Sequence, residues 1–469
     1  MKSNSLITAA LLALGLVTSA SASSTVTPFG TSTTYTEVFI TGSTAFRAFV
    51  FNAVTAVNTG TNTGALFDSA PTVKAKGGGA ASISTSQYIA YGNIGGSPYL
   101  LNFDLTGSEA GLAAVYNASA GTSQTVTYPV AGPLFTGTAN LAGTPNPSGF
   151  VDPTSSSYPG TVTASADLAF ADTSAAVSLN PTQNGTLTDF GIVAVIPFLW
   201  AKGYNSSPDS SWSDLANVSI PQLSYELTGA KKASYFTGKT ADTDKVYLIG
   251  RNKGSGTRVN TFLTLNYGLA KPIVQYAPAN STYNSTVLTI SSATPTTIST
   301  IGLDTVANDG FDSGGGVATT LEYDNKNSSL ITLGYIGLPD FLGTQTSAFP
   351  PTALTLDGVA ENDGTILNGQ YAFWGHEHLY GQASPSTAAL TVADALTGYE
   401  TVNAGTPNET LGARGTAAGS LEAVFYNNPT SATLAGGREA NPNAQSSYAI
   451  DPALMLADKP SDSGYPSQF

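Results

Sequence analysis

Short apolar stretches alternate with helical patterns in four places along the chain. Each stretch ends in a junction of Gly, Ser, Thr or Asp, and apolar residues at helical spacing follow it. The four stretches are YTEVFI (35–40), YLLNFDL (99–105), ADLAFA (166–171) and KVYLIG (245–250). Strands that alternate with helices are typical of parallel βαβ units, so the pattern predicts an α/β fold.

The four junctions are predicted to meet at one edge of a sheet. In open α/β sheets, ligands bind at the carboxyl ends of the strands. A helix that starts there offers unpaired N–H groups and a partial positive charge. Glycine lets the backbone approach a ligand and Ser or Thr adds a hydroxyl, so this chemistry suits a tetrahedral oxyanion. Asp172 is expected to cap the helix after the third strand.

The N-terminus has the pattern of a secretory signal peptide. Lys2 precedes the apolar run LITAALLALGLV (6–17) and the small residues ASA (20–22), which predicts a signal peptide over residues 1–22. This run is too short to span a membrane, and the longest later run, GIVAVIPFLW (191–200), predicts a buried strand. We therefore expect a mature protein in the periplasm or outside the cell.

Composition narrows the classes of ligand and partner. The 469 residues carry a net charge of -14, 10% of them are charged, and none is cysteine. The absence of cysteine excludes disulfides and thiolate metal sites. The negative charge argues against nucleic acid and against anionic membranes as partners. A small anion stays compatible with this charge, because distant surface charges are screened.

The loop after the fourth strand concentrates positive charge in an acidic chain. In RNKGSGTR (251–258), Arg251, Lys253 and Arg258 surround Gly-Ser-Gly-Thr. A single Gly-Ser junction is commonly a turn and a helix cap, whereas four junctions, one of them flanked by arginine, favour an anion site. The phosphate-cradling pattern GxxxxGK[ST] is absent, so nucleotide hydrolysis receives little support.

Seven short motifs, in order from about residue 36 to about residue 380, resemble one family. RNKGSGTR is the most specific of them, and it is similar to the R-x-x-G-S-G-T loop of the periplasmic phosphate-binding proteins of phosphate ABC transporters. The other six are ITGSTAF (40–46), GSEAG (107–111), FADTSAA (170–176), VSIPQLSYELTG (218–229), LGYIGLPD (333–340) and LNGQYAFWGHEHLY (367–380).

The resemblance implies an α/β fold of the two-lobed periplasmic-binding type 2. Each lobe would be a mixed sheet flanked by helices, with the ligand in the cleft between the lobes. Lobe 1 would comprise residues 36–196 and 340–430, and lobe 2 residues 197–339. Residues 118–160 would be an insertion, and residues 431–469 a C-terminal tail of unknown role.

The resemblance also implies a ligand, which is inorganic phosphate or a related oxyanion such as an organophosphate. Arg251 would pair bidentately with two of its oxygens, and Asp172 would accept the proton of hydrogen phosphate. The implied ligand-binding residues are Thr44, Ala45, Ser108, Asp172, Arg251, Ser255, Gly256 and Thr257. No cofactor is expected, and the expected partner is an ABC transporter permease that receives phosphate from a monomeric binding protein.

Three positions depart from the pattern of this family. Lys253 stands where the family often has an acidic residue, Glu109 lies in a loop that is usually Gly or Ser, and Arg47 replaces an apolar residue. Lys253 and Glu109 could compensate by pairing with each other. The same changes could instead indicate a different anion.

Two other classes of function stay open at this point. His376, Glu377 and His378 could bind a metal ion in an enzyme, although no acidic cluster flanks them. Asp309 and Asp312 lack the spacing of a calcium loop. A secreted phosphatase is the main enzymatic alternative, but no pair of nucleophile and base is visible. The other alternative is a surface structural or adhesive protein that uses the same fold.

Overall fold

The computed structural model describes the following parts of the chain: 25–26, 33–57, 65–76, 80–121, 126–129, 162–179, 183–283, 288–290, 297–326, 329–397, 433–434, 437–438, 449–450, 457–459 and 467–468. The predicted signal peptide and most of the predicted insertion and tail lie outside the described residues. Among the helices in these ranges, none is long and apolar enough to cross a bilayer.

The helices in the described ranges are short. They are α1 (Arg47–Thr55), α2 (Ser108–Ser119), α3 (Ser210–Asp214), α4 (Ile220–Glu226), α5 (Ser234–Thr237), α6 (Gly256–Thr264), α7 (Ile298–Ile301), α8 (Gly314–Leu321), α9 (Leu338–Thr344), α10 (Asp363–Leu367) and α11 (Thr387–Thr397).

The strands vary in length from two to fifteen residues. They are β1 (Thr25–Val26), β2 (Tyr35–Gly42), β3 (Thr72–Ala75), β4 (Gln87–Ile94), β5 (Ser97–Asp104), β6 (Val126–Tyr128), β7 (Val162–Ala164), β8 (Leu168–Ala171), β9 (Thr188–Lys202), β10 (Asn217–Val218), β11 (Lys231–Lys232), β12 (Lys245–Ile249), β13 (Gln275–Pro278), β14 (Ser281–Tyr283), β15 (Leu288–Ile290), β16 (Leu303–Ala307), β17 (Leu330–Gly337), β18 (Thr352–Ala353), β19 (Thr355–Leu356), β20 (Trp374–Gly381), β21 (Thr433–Leu434), β22 (Gly437–Arg438), β23 (Ala457–Asp458) and β24 (Ser467–Gln468).

One twelve-stranded mixed sheet organises the molecule. Its strand order is β11-β12-β17-β9-β20-β8-β2-β5-β4-β3, and β1 and β18 pair with β2 and β9. β2 runs parallel to β5 and β8, and β12 runs parallel to β17. β9 is antiparallel to both β17 and β20. The predicted α/β class, with a mixed sheet flanked by helices, is confirmed, whereas the division of the chain into two lobes stays a prediction.

β9 joins the two groups of strands. Residues 188–197 pair with β20, and residues 198–202 pair with β17, which lies on the opposite edge of β9. The apolar run predicted as a buried strand lies within β9, and residues 193–202 are all buried. An extended run without polar alternation is typical of a strand covered on both faces, so β9 forms the centre of the core.

A C-terminal segment contacts this central strand. The Val195 N–H donates to the Ile450 carbonyl at 2.9 Å, and the Ile450 N–H donates to the Val195 carbonyl at 2.8 Å. Nearby, Lys459 Nζ lies 2.5 Å from the Trp374 carbonyl oxygen and 4.4 Å from the centre of the Trp374 ring. Although the motifs of the tail match no family pattern, these residues of it pack on β9 and β20.

The prediction of a helix after the third strand is wrong. Residues 172–179 form turns and bends. The Ala175 N–H donates to the Tyr380 hydroxyl at 3.1 Å, and the Leu179 N–H donates to Glu109 Oε2 at 2.8 Å. Because these amides find partners on distant elements, the segment gains nothing from an Asp172-capped helix. The helices predicted after the other three strands do form, as α1, α2 and α6.

Close packing at the end of β2 depends on glycine at two positions, one facing β8 and one in α2. Gly42 has a φ of +116°, and a Cβ there would lie 1.9 Å from the Phe170 carbonyl oxygen. A Cβ at Gly111 in α2 would lie 2.7 Å from Cα of Gly42. The helix therefore packs against β2 at a distance that leaves no room for a methyl group.

We expect Gly111→Ala to lower the free energy of unfolding by about 1–3 kcal/mol, because the added methyl group would push α2 away from β2. Gly343 in α9 is the matched control, since no atom lies within 4 Å of the position of its Cβ. Gly343→Ala should leave stability unchanged or raise it by up to about 1 kcal/mol. Urea unfolding measures both variants, and similar effects would contradict the close approach of α2.

Candidate functional site

Four strands end at the candidate site. Thr44 follows β2, Ser108 follows β5, Asp172 follows β8, and Arg251 follows β12. The first three strands lie side by side and parallel, so their carboxyl ends point to the same edge of the sheet. Contacts of Arg251 bring the fourth strand end to the same place.

Arg251 is 2% exposed, and hydrogen bonds hold its guanidinium in place. Nη2 donates to Thr44 Oγ1 at 3.1 Å and to the Asp312 carbonyl at 2.8 Å, and Nε donates to the Phe311 carbonyl at 3.3 Å. Burial lowers the pKa of Arg251 below its usual value, and the carboxylates of Asp340 and Asp172 oppose this effect. Arginine stays protonated in proteins, so the site contains a buried positive charge.

Asp172 places a buried carboxylate near this guanidinium. Its Oδ2 accepts a long hydrogen bond of 3.4 Å from Thr257 Oγ1, and its Oδ1 is buried without a hydrogen-bond partner. Burial raises the pKa of Asp172 to about 6, and the charge of Arg251 opposes that rise. The backbone N–H of Asp172 donates to Ser108 Oγ at 3.3 Å. One carboxylate oxygen at the site therefore stays buried with its capacity to accept a hydrogen bond unused.

The glycine of the arginine loop makes room for this carboxylate. A Cβ at Gly256 would lie 1.6 Å from Asp172 Oδ1 and 2.8 Å from Cβ of Ser108. Ser255 caps α6, because its hydroxyl accepts from the Arg258 N–H at 3.3 Å. The loop thus brings the start of α6 into direct contact with the ends of β5 and β8.

The start of α2 has a different role from the one predicted. The N–H groups of Glu109 and Ala110 donate to the Gly254 carbonyl at 3.1 and 3.4 Å. A Cβ at Gly107 would lie 2.4 Å from that same oxygen. In this arrangement, two amides of the helix N-terminus bind a carbonyl of the arginine loop, which closes this side of the site.

All eight predicted site residues lie in this region. Thr44 bonds to Arg251, Thr257 bonds to Asp172, and Ser108 accepts from the Asp172 backbone. Ala45 is buried, and its Cβ is 3.4 Å from the position that a Cβ of Gly337 would occupy. The structure therefore brings these residues together, and their role in holding a ligand stays a prediction.

A buried ion pair lies beside the site and includes a residue that the sequence did not single out. Arg47 Nη2 donates to Asp340 Oδ1 at 2.5 Å, and Arg47 Nη1 donates to the Thr44 carbonyl at 2.9 Å. A Cβ at Gly314 would lie 1.9 Å from Asp340 Oδ2, so this carboxylate packs against the start of α8. The pair explains how the chain tolerates a charged residue at position 47.

Glu109 and Lys253 do not pair as the sequence allowed. Glu109 Oε1 accepts from Thr173 Oγ1 at 2.9 Å, and Oε2 accepts from the Leu179 N–H at 2.8 Å. Lys253 is exposed. Burial raises the pKa of Glu109 to about 7, while its hydrogen bonds with Leu179 and Thr173 oppose the rise. Glu109 therefore orders the segment after Asp172, and Lys253 faces solvent at the rim.

The three residues of the alternative metal site lie on β20. Alternation along the strand puts His376 and His378 on one face and Glu377 on the other. Glu377 is fully buried near Ser43 and Asp172; burial raises the pKa of Glu377 well above its usual value, and the negative charge of Asp172 adds to the rise. In the described part of the chain, no three His, Asp or Glu side chains cluster as metal ligands.

Comparison with known proteins gives matches among solved structures alone. No protein-family model and no curated protein matches the chain. Similar structures include a phosphate ABC transporter substrate-binding protein from Clostridium perfringens with bound phosphate, at 14% identity and a TM-score of 0.37, covering 76% of this chain and 91% of that one. An ABC-type phosphate transport receptor from Vibrio cholerae has 10% identity and a TM-score of 0.35, covering 75% and 90%.

A third similar structure is PstS from Borrelia burgdorferi, at 12% identity and a TM-score of 0.33, covering 76% of this chain and 91% of that one. The first two are a substrate-binding protein and a receptor of phosphate ABC transporters, the family that the motifs resemble.

Arg47→Met should lower the free energy of unfolding by about 3–5 kcal/mol, because the carboxylate of Asp340 would be left buried and unpaired. Adding Asp340→Asn should cost less than the sum of the two single changes. Lys239→Met removes one partner of an ion pair of 2.7 Å whose lysine side chain is 60% exposed, and it should change stability very little. Additive effects of Arg47→Met and Asp340→Asn in urea unfolding would contradict a coupled pair.

Proposed function

We propose that the chain is an extracytoplasmic solute-binding protein that captures inorganic phosphate, or a related oxyanion, for uptake. The observation that carries this proposal is a buried arginine close to a buried carboxylate oxygen without a partner, Asp172 Oδ1. Both groups stand at the carboxyl ends of strands, where an α/β sheet binds its ligands. A site with one cation and one free acceptor suits an anion that itself carries a proton.

Four of the predicted site residues, Thr44, Arg251, Gly256 and Thr257, have the following chemical roles in this proposal. The planar guanidinium of Arg251 would bind two oxygens of the anion, exchanging or sharing its bond with Thr44. The hydroxyls of Thr44 and Thr257 and the first N–H groups of α6 would donate to the others. Gly256 would let the anion reach the backbone. Binding of the ligand would therefore replace hydrogen bonds within the protein, such as the one from Arg251 to Thr44.

Asp172 would make the site selective for protonated anions. A carboxylate that accepts a proton from hydrogen phosphate has no such donor in sulfate. Two like charges about 4 Å apart repel by roughly 4 kcal/mol at an effective dielectric constant of 20. The carboxylate and the sulfate oxygen would also face each other without a donor between them. Phosphate should therefore bind more tightly than sulfate.

The cleft would close around the ligand between the two predicted lobes. The bonds between Thr44 and Arg251, and from the amides of Glu109 and Ala110 to the Gly254 carbonyl, link residues of both lobes. Hinge closure of this kind buries a ligand and excludes water. The binding protein, a monomer in the periplasm or outside the cell, would then deliver the phosphate to the permease of an ABC transporter.

Arg251→Ala should weaken phosphate binding by roughly 2–5 kcal/mol, because oxygens of the bound anion would lose a desolvated charged partner. Arg251→Lys should restore part of the loss, since lysine lacks the planar fork. Lys253→Ala is the control, because that exposed lysine lies in the same loop outside the site. Calorimetry with phosphate measures all three, and an Arg251→Ala variant within about threefold of the parent would show that Arg251 is not a ligand.

Sulfate affinity of the parent should rise as the pH falls from 8 towards about 6 and level off below that. Burial raises the pKa of Asp172 to about 6, so its carboxylate is charged above that pH and protonated below it. Only the protonated form can donate to sulfate, and the bound dianion stabilises that form further. Asp172→Asn should bind sulfate with little dependence on pH between 5 and 8, because an amide donates throughout. A parent whose sulfate affinity is flat over this range would overturn the role of Asp172.

A further inference from the structure

A cavity of about 630 Å³ adjoins the anion site. Thr44 and Asp312 are among its lining residues, and Nη2 of Arg251 donates to the Thr44 hydroxyl and to the Asp312 carbonyl. Cavities of roughly 300–1,000 Å³ hold organic ligands of drug size, whereas a four-oxygen anion needs far less space. The cavity therefore has room for a molecule that extends outward from an anionic group at Arg251.

The lining of this cavity comes from both sides of the cleft. Lys76 follows β3, Gln87 begins β4 and Asp104 ends β5. Asn252 and Asp312 come from the loops after β12 and before α8. A ligand that fills the cavity would thus contact both halves of the sheet at the same time as its anionic end meets Arg251.

The chemistry of the lining suits hydroxyl groups. Asp104 Oδ1 accepts from Gln87 Nε2 at 2.7 Å, and Oδ2 accepts from Thr106 Oγ1 at 3.3 Å, which holds this carboxyl group at the cavity wall. Carboxylates accept several hydrogen bonds, and amides and hydroxyls both donate and accept. None of the described lining residues is aromatic, so a nucleobase would find no ring on which to stack.

The charges of the lining argue against a second anionic group. Asp104 and Asp312 are acidic, and among the described lining residues Lys76 is the basic one. A diphosphate or a second phosphoryl group would lie near two carboxylates, which costs electrostatic energy. The part of the ligand in the cavity should therefore be uncharged and rich in hydroxyls.

We propose that the site also binds phosphate monoesters of small polyols or monosaccharides as their monoanions, with the phosphoryl group at Arg251, its remaining P–OH donating to Asp172, and the hydroxyls in the cavity lined by Gln87, Asp104 and Thr106. This inference rests on the proposed function, because the phosphoryl group uses the same anion site. The substrates of the anion site would then include phosphate esters, and hydrogen bonds from the alcohol part of the ester would add to the affinity.

Calorimetry with the full-length mature protein tests the proposal with glycerol 3-phosphate and n-propyl phosphate, which have the same phosphoryl group and similar length but differ in hydroxyls. We expect glycerol 3-phosphate to bind at least about tenfold more tightly, the effect of one or two hydrogen bonds. Glucose 6-phosphate should bind as well, and AMP should bind no better than propyl phosphate. Equal affinity for the glycerol and propyl esters, or preference for AMP, would overturn the inference.

Measuring the affinity for inorganic phosphate in the same way distinguishes a failure of this inference from a failure of the proposed function. If phosphate binds and no ester does, the inference is wrong and the proposed function stands. If the glycerol ester binds and phosphate does not, the inference stands and the function proposed for inorganic phosphate is wrong. If no phosphoryl compound binds, both are wrong.

The test also uses two variants whose net charge is the same as that of the parent. Thr106→Val and Gln87→Met remove hydrogen-bonding groups of the cavity without changing those at Arg251. Each should weaken glycerol 3-phosphate binding by about fivefold and change the affinity for inorganic phosphate by less than about twofold. Because Thr106 and Gln87 are half-buried, folding of each variant is checked by its urea midpoint. Equal losses for both ligands in folded variants would contradict a separate role of the cavity.

Discussion

The burial of the Arg251 guanidinium is the constraint on which the site depends. A buried charge is costly unless hydrogen bonds and opposite charges surround it. Here Thr44 and two backbone carbonyls accept hydrogen bonds from the guanidinium, and Asp172 and Asp340 supply negative charge. Because Arg47 pairs with Asp340, two arginines and two aspartates nearly balance before any ligand enters. An incoming dianion upsets this balance, which gives the anion's own proton a decisive part in binding.

Much of the architecture could be predicted from the sequence because its signals are local. Apolar runs that end in Gly or Ser identified the strands and three of the helices that begin at the site, and the residues of the arginine loop identified its cation. The prediction of a helix after Asp172 was wrong because contacts with distant residues decide the conformation of this segment. Its amides bond to Tyr380 and Glu109, which are 205 and 70 residues away from their partners in the chain, and no local pattern reports such contacts.

Charge pairing was the other feature that the sequence did not reveal. Arg47 and Asp340 are separated by 293 residues, so the motif LGYIGLPD indicated a strand but not the partner of its aspartate. The first amides of α2 are a similar case. The sequence predicted that they bind a ligand, whereas two of them donate to the Gly254 carbonyl. In both cases the backbone path is readable from the sequence, and the contacts between distant segments are not.

The bridge between Ile450 and β9 has a consequence for how the chain avoids self-association. Near Val195, β20 covers one edge of β9, and in the described part of the chain Ile450 is the residue that bonds to the other edge. Open strand edges with apolar side chains are templates for pairing with a second chain. Loss of the C-terminal segment would expose the run VAVI (193–196) in this way. The bridge at Ile450 therefore guards this edge of β9 against intermolecular β-sheet formation.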